Sequence, residues 1–154
     1  MPFNVWLISL ISLFGAYYFM YEAGLLQAIN DKDVTFISAA MISALPVVHL
    51  YLGYIVFNYT FRGKYLTEKS IDIGFEISEH MLAAGMMGTI IGFIIMTASF
   101  AGIDFSNIEN VSKLFDIATK GMSTALYTTL VGLVCSMWVR TSFFLANLLV
   151  KAKT

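Results

Sequence analysis

Four apolar runs, each long enough to cross a bilayer, dominate this sequence. They cover residues 3–29, 34–61, 81–101 and 122–150. The hydrocarbon core of a membrane takes about 20 apolar residues of helix. Within it a chain must satisfy its own backbone hydrogen bonds, which leaves helices or a closed barrel. Runs of this length predict helices. The first is interrupted only by Glu22 and Gln27, the third carries no charge, and the fourth carries one, Arg140. The expected fold is an all-α integral membrane protein with four transmembrane helices, forming a single membrane domain over residues 1–154. Composition agrees. Charged residues make up 12% of the chain, about half the share of an average soluble domain.

The link Asn30-Asp31-Lys32-Asp33 is short enough to force the first two spans into an antiparallel hairpin. Arg62, Lys64, Lys69, Arg140, Lys151 and Lys153 fall on one side of a four-span layout, against Lys32, Lys113 and Lys120 on the other. By the positive-inside rule both termini are cytoplasmic. Met1-Pro2-Phe3-Asn4 lacks the basic start of a cleavable signal. Between spans three and four, Ser106-Asn107-Ile108-Glu109 has the form of a capping box. Ile108, Val111, Leu114, Phe115 and Ala118 then follow at helical spacing. This predicts a short amphipathic helix at the outer interface. Ile71, Phe75, Ser78 and Met81 make the link over 64–80 helical as well, as an extension of the third span.

Several functions are excluded. The net charge of −1 gives no basic field for nucleic acid. Cys135, alone, forms no disulfide framework, and His49 and His80 lie on different segments, so no metal pair is expected. There is no nucleophile-base pair, phosphate loop or carboxylate dyad, so neither catalysis nor an organic cofactor is expected.

The informative positions are small. In the third span Ala84, Gly85, Gly88, Thr89, Gly92 and Ser99 share an arc of roughly 140°. In the fourth, Gly121, Ala125, Thr128, Thr129, Gly132 and Ser136 share roughly 100°. Small faces let membrane helices approach closely, and plain packing explains much of this pattern. The threonines add hydroxyls to the packed faces. Neither span holds a carboxylate at mid-membrane, so an ion path here would need a titrating group from a partner.

Elsewhere, Pro46 is expected to kink the second span, and His49 to bond a freed carbonyl or an interfacial partner. Glu76, Glu79 and His80 sit at the inner mouth of the third span, as a solvated helix end or a guide for cations. Arg140 is expected to snorkel to the interface or to pair with Glu76 or Glu79.

Gly85-Met86-Met87-Gly88-Thr89-Ile90-Ile91-Gly92 resembles the glycine-glycine-threonine-glycine core of the MotA/TolQ/ExbB proton-channel family. The stretch from Gly121 through Ala125-Leu126, Thr128-Thr129 and Gly132 resembles that family's second signature, in the right order on the next span. Gly15-Ala16-Tyr17-Tyr18-Phe19-Met20 and Ala23-Gly24-Leu25-Leu26 look like the start of the four-span MotA branch. Three features depart from the family, one being that the prolines near the cytoplasmic ends of MotA's last two spans are absent here. Thr124 stands where TolQ and ExbB carry glutamate, and the link over 62–80 is too short for MotA's rotor-contacting domain.

The resemblance implies a homopentamer around a dimeric single-pass partner of the MotB/TolR/ExbD type, which carries the ion-binding aspartate. It implies a stator-like motor subunit in the bacterial inner membrane that passes H+ or Na+. Thr89 and Thr129 match the pore-facing threonines, and Thr128 matches a position where a second hydroxyl accompanies sodium. The alternatives are a four-helix small-molecule exporter and a passive membrane scaffold or pore-former.

Overall fold

The computed structural model describes residues 2–62, 68–101 and 108–151. They form five helices: α1 (Pro2–Glu22), α2 (Leu25–Lys32), α3 (Ile37–Arg62), α4 (Glu68–Ala98) and α5 (Ile108–Lys151). No strand occurs among the described residues. Four helices are long and apolar enough to cross a membrane: Phe3–Glu22, Ile37–Arg62, Lys69–Ala98 and Glu109–Leu148. The four long apolar helices expected from the four runs are therefore present.

The first run is not one helix to residue 29. It breaks at Gly24, whose φ of +67° lies in the left-handed region, and α2 resumes at Leu25. Glycine reaches that conformation without a Cβ penalty, so it ends one helix and turns the chain into the next. The third span is longer than its apolar run, because α4 takes in the predicted helical link from residue 68.

The predicted amphipathic helix is not a separate element either. Residues 108–121 are helical but continuous with the fourth span in one helix of 44 residues. Nothing from Ile108 to Lys120 breaks a helix, and Gly121 stays helical while lying against Gly92. Glu109 pairs with Lys113 one turn on, at 2.8 Å. Ser106 and Asn107 of the proposed capping box lie outside the described residues. At 1.5 Å per residue α5 is about 66 Å long, twice the hydrocarbon thickness.

The α1–α3 hairpin is antiparallel and held by two carbonyls of α3. Pro46 has no N–H to offer the Ile42 carbonyl one turn back, and that carbonyl accepts the Tyr17 hydroxyl instead. The Trp6 indole donates to the His49 carbonyl at 3.1 Å, and its ring lies directly over Gly53. A side chain at 53 would collide with it. The sequence signals combine here: a proline frees an acceptor, and a glycine admits the ring. α3 runs through Pro46 without interruption.

The apolar core gathers around α5. Val131, Cys135, Val139, Phe143 and Ala146 of α5 are buried with Met41, Leu45, Leu52 and Val56 of α3 and Leu13 of α1. The most extensive contact is between α4 and α5.

Candidate functional site between the fourth and fifth helices

The α4–α5 contact brings backbone against backbone. A Cβ built on Gly132 would lie 2.8 Å from the Gly85 Cα, and one on Gly85 would lie 2.9 Å from the Thr128 carbonyl. One on Gly92 would lie 2.5 Å from the Gly121 carbonyl, and one on Gly121 2.6 Å from the Gly92 carbonyl. Gly88 lies under the Thr128 side chain, and Ala125 packs against Gly92. Gly85, Gly88, Gly92, Gly121, Ala125 and Gly132 therefore lie on one seam. Lipid offers no hydrophobic drive for helix association, so dispersion over a close seam supplies it.

The seam fixes two hydroxyls. Thr89 lies one residue past Gly88, and Thr129 one past Thr128, at the edge of the contact. Their Oγ1 atoms are hydrogen-bonded to each other. Thr129 also donates to the Ala125 carbonyl at 2.8 Å, and Thr89 lies 3.0 Å from the Gly85 carbonyl. Each hydroxyl has one proton and two lone pairs. With Thr129's proton on Ala125 and Thr89's shared between Gly85 and Thr129, lone pairs remain available. The pair lines an open groove of about 250 Å³ whose other walls are Phe93, Met122, Ala125, Leu126, Leu130 and Leu133. The groove offers two polar oxygens among apolar walls and no titratable side chain. It can accept hydrogen bonds from water or from a protonated group, and it cannot itself gain or lose a proton near neutral pH.

Thr128 is not brought to this pair. It is 0% exposed, and its hydroxyl donates to the Thr124 and Ala125 carbonyls at 2.8 and 3.2 Å. Adjacent helix residues differ by about 100°, so with Thr129 at the groove Thr128 faces the seam.

Arg140 and the acidic pair do not meet. Arg140 is exposed and stacks over the Phe75 ring, its guanidinium carbon 5.7 Å from the ring centre. Glu76 and Glu79 are exposed. Among the described residues neither pairs with Arg140; the ion pair present is Lys113–Glu109. His49 is buried with its Nε2 unpartnered, so the expected bond to a freed carbonyl is not made there. Tyr17 takes the carbonyl that Pro46 releases.

Two residues outside the candidate set are tied to the seam. The Thr124 hydroxyl on α5 donates to the Lys32 carbonyl at 2.9 Å and accepts from the Val34 N–H at 3.2 Å. Between them Asp33, 1% exposed, caps α3. Its carboxylate accepts the Thr35 N–H at 3.0 Å, the Thr35 hydroxyl at 2.5 Å and the Ser38 N–H at 2.7 Å. Burial works to raise the Asp33 pKa, and the donors of Thr35 and Ser38 outweigh it, holding the carboxyl below its ordinary value. The signal was present in the order Asp33, Thr35, Ser38 just before an apolar run, which is the form of a helix N-terminus. Among the described residues no cluster of His, Cys, Asp or Glu is arranged to hold a metal ion.

Comparison with protein-family models, curated proteins and solved structures finds no match to this chain.

Proposed function

We propose that this chain is the ion-conducting, stator-like subunit of a rotary membrane motor, a homopentamer around a dimeric single-pass partner of the MotB/TolR/ExbD type. The observation that carries the proposal is the Thr89–Thr129 hydroxyl pair, held at the edge of a glycine seam and open to an apolar groove. The groove has oxygens to solvate a passing ion and no carboxylate to hold one, which is the complement of a partner helix that brings an aspartate. An H+ or Na+ enters from the outer side and binds that aspartate, and Thr89 and Thr129 hydrate it on the way to the inner side. Each arrival and departure changes the aspartate's charge and so its preferred register against the ring. Moving one charge through 100 mV yields about 2.3 kcal/mol for this step. The reading places the chain in the bacterial inner membrane with both termini in the cytoplasm. Thr128, turned into the seam, supplies no ligand in this scheme.

The test is native mass spectrometry of the complex extracted in mild detergent, followed by ion flux in vesicles. Five copies with two of a single-pass protein, and flux lost on Thr129→Val, are expected. A persistent monomer or dimer would sink the motor and favour the exporter.

A further inference from the structure

The helix register carries an inference about how copies recognise one another. Gly132 faces Gly85, Phe143 covers Gly74, and Arg140 stacks on Phe75. These antiparallel pairings put Arg140, Glu76 and Glu79 at one level of the bundle. All three are exposed, and no ion pair joins them within the chain. The reason is angular. Taking the row Gly85, Gly88 and Gly92 as the direction of α5, Glu76 and Glu79 lie about 140–160° away around α4. They point to the far side of α4, while Arg140 projects from the open flank of α5. Within one chain this pair is left open, and two chains side by side can close it.

We infer that neighbouring copies of this chain are joined by an ion pair from Arg140 of one to the Glu76/Glu79 turn of the next. An arginine near the end of an apolar span is costly unless an acceptor reaches it, and unpaired carboxylates on a membrane helix have the converse need. Parallel insertion puts both at the same depth in every copy, so no vertical offset is required. The same two surfaces carry further exposed apolar side chains, Ile90 and Ile94 on α4 and Met137 and Phe144 on α5. The two halves of the contact are different surfaces. The contact is therefore heterologous, and repetition continues into a ring or an open row instead of stopping at a two-fold dimer.

This inference rests on the self-association in the proposed function and not on ion flow. The test uses the full chain with Cys135→Ala, which removes its sole cysteine. One tagged copy carries Arg140→Cys and a differently tagged copy carries Glu76→Cys, co-expressed in membranes and treated with a short bismaleimide. Cross-links joining the two tags are expected, and pairing Arg140→Cys with Thr97→Cys at the opposite end of α4 should give few. Charge reversal in the native background is the second arm. Arg140→Glu should lower the oligomer fraction at least several-fold, and adding Glu76→Arg with Glu79→Arg should restore it. An intact oligomer by native mass with no cross-link and no effect of Arg140→Glu overturns the inference and leaves the motor reading standing. A monomeric native chain overturns both. An oligomer that needs added anionic lipid, with no cross-link, assigns Arg140 to the headgroup and overturns the pair.

Discussion

Thr128 seats its side chain directly over Gly88, so that a methyl group at 88 would lie 2.5 Å from the Thr128 Cβ. This contact sets how closely α4 and α5 approach and where Thr129 points. Gly88→Ala should destabilise the helix pair by about 1–3 kcal/mol, the usual cost of overpacking. Thr128→Gly removes that Cβ and opens the space, so Gly88→Ala should cost much less on the Thr128→Gly background. Equilibrium unfolding of the two single variants and the double variant in bicelles measures the coupling. Additive losses would show that the two residues do not share the contact.

The same packing predicts that Thr128 is silent in ion choice. Its hydroxyl is spent on its own helix, at the Thr124 and Ala125 carbonyls. Thr129 differs, because its hydroxyl meets Thr89 at the groove. Thr129→Val removes a group worth about 1–3 kcal/mol to a desolvated polar species. Ion flux should fall about ten- to a hundredfold at unchanged oligomer mass, and Thr129→Ser should retain most of it. Vesicle flux measured for H+ and Na+ separately would also show whether Thr128→Ala shifts the ratio, which it is expected not to do.

Periodicity made the seam legible. Glycine at 85, 88, 92, 121 and 132 recurs at helical spacing, and the helical angle put these residues on one face of each helix. The same angle separates Thr128 from Thr129, but a wheel has no zero until the partner helix is placed, so it could not say which of the two faced outward. Run length located four long apolar helices but not where those helices end. Gly24 breaks a run that stays apolar, and α5 continues through residues 108–121 because helix propensity does not stop where hydropathy does. Contacts between distant segments were not readable. Thr124 reaching the Lys32 carbonyl depends on how α2 folds against α5, which no local pattern encodes.

Thr124 makes a distinct prediction. Its hydroxyl serves one partly buried donor and one acceptor in the turn between α2 and α3. Thr124→Val keeps the shape and strands both, at a cost of about 1–3 kcal/mol. Thr124→Ser should cost less than half of that. Limited proteolysis of the turn should quicken in the valine variant and not in the serine one, while the Thr89–Thr129 groove is left intact.

Phe36 occupies the left-handed region at φ +58°, next to the same turn, and is 60% exposed. A bulky residue there is strained by about 1–3 kcal/mol. The surrounding bonds to Asp33 and Thr124 hold it in place. Phe36→Gly relieves the strain and removes little packing, so stability should rise by up to about 1 kcal/mol after the added chain entropy of glycine is offset. A fall in thermal midpoint would mean that the exposed ring contributes contacts to a neighbouring copy or to lipid.

Asp33 should make stability depend on acid pH in a defined direction. Its carboxyl is held below the ordinary value of about 3.9 by the Thr35 and Ser38 donors. The unfolded chain therefore binds a proton more readily than the folded one, and unfolding is favoured as pH falls. The contribution is complete above about pH 5, declines through the unfolded value, and is gone once pH is below the folded one. Asp33→Asn keeps one acceptor oxygen and gives up the other, to which Ser38 N–H now donates at 2.7 Å. It should lose about 1 kcal/mol as a weakened cap at neutral pH, and the gap to the native chain should narrow as the medium is acidified. Thermal midpoints of the two chains between pH 7 and pH 3 decide it. A constant gap across that range would mean that the carboxylate charge contributes nothing and that the cap works through its geometry alone.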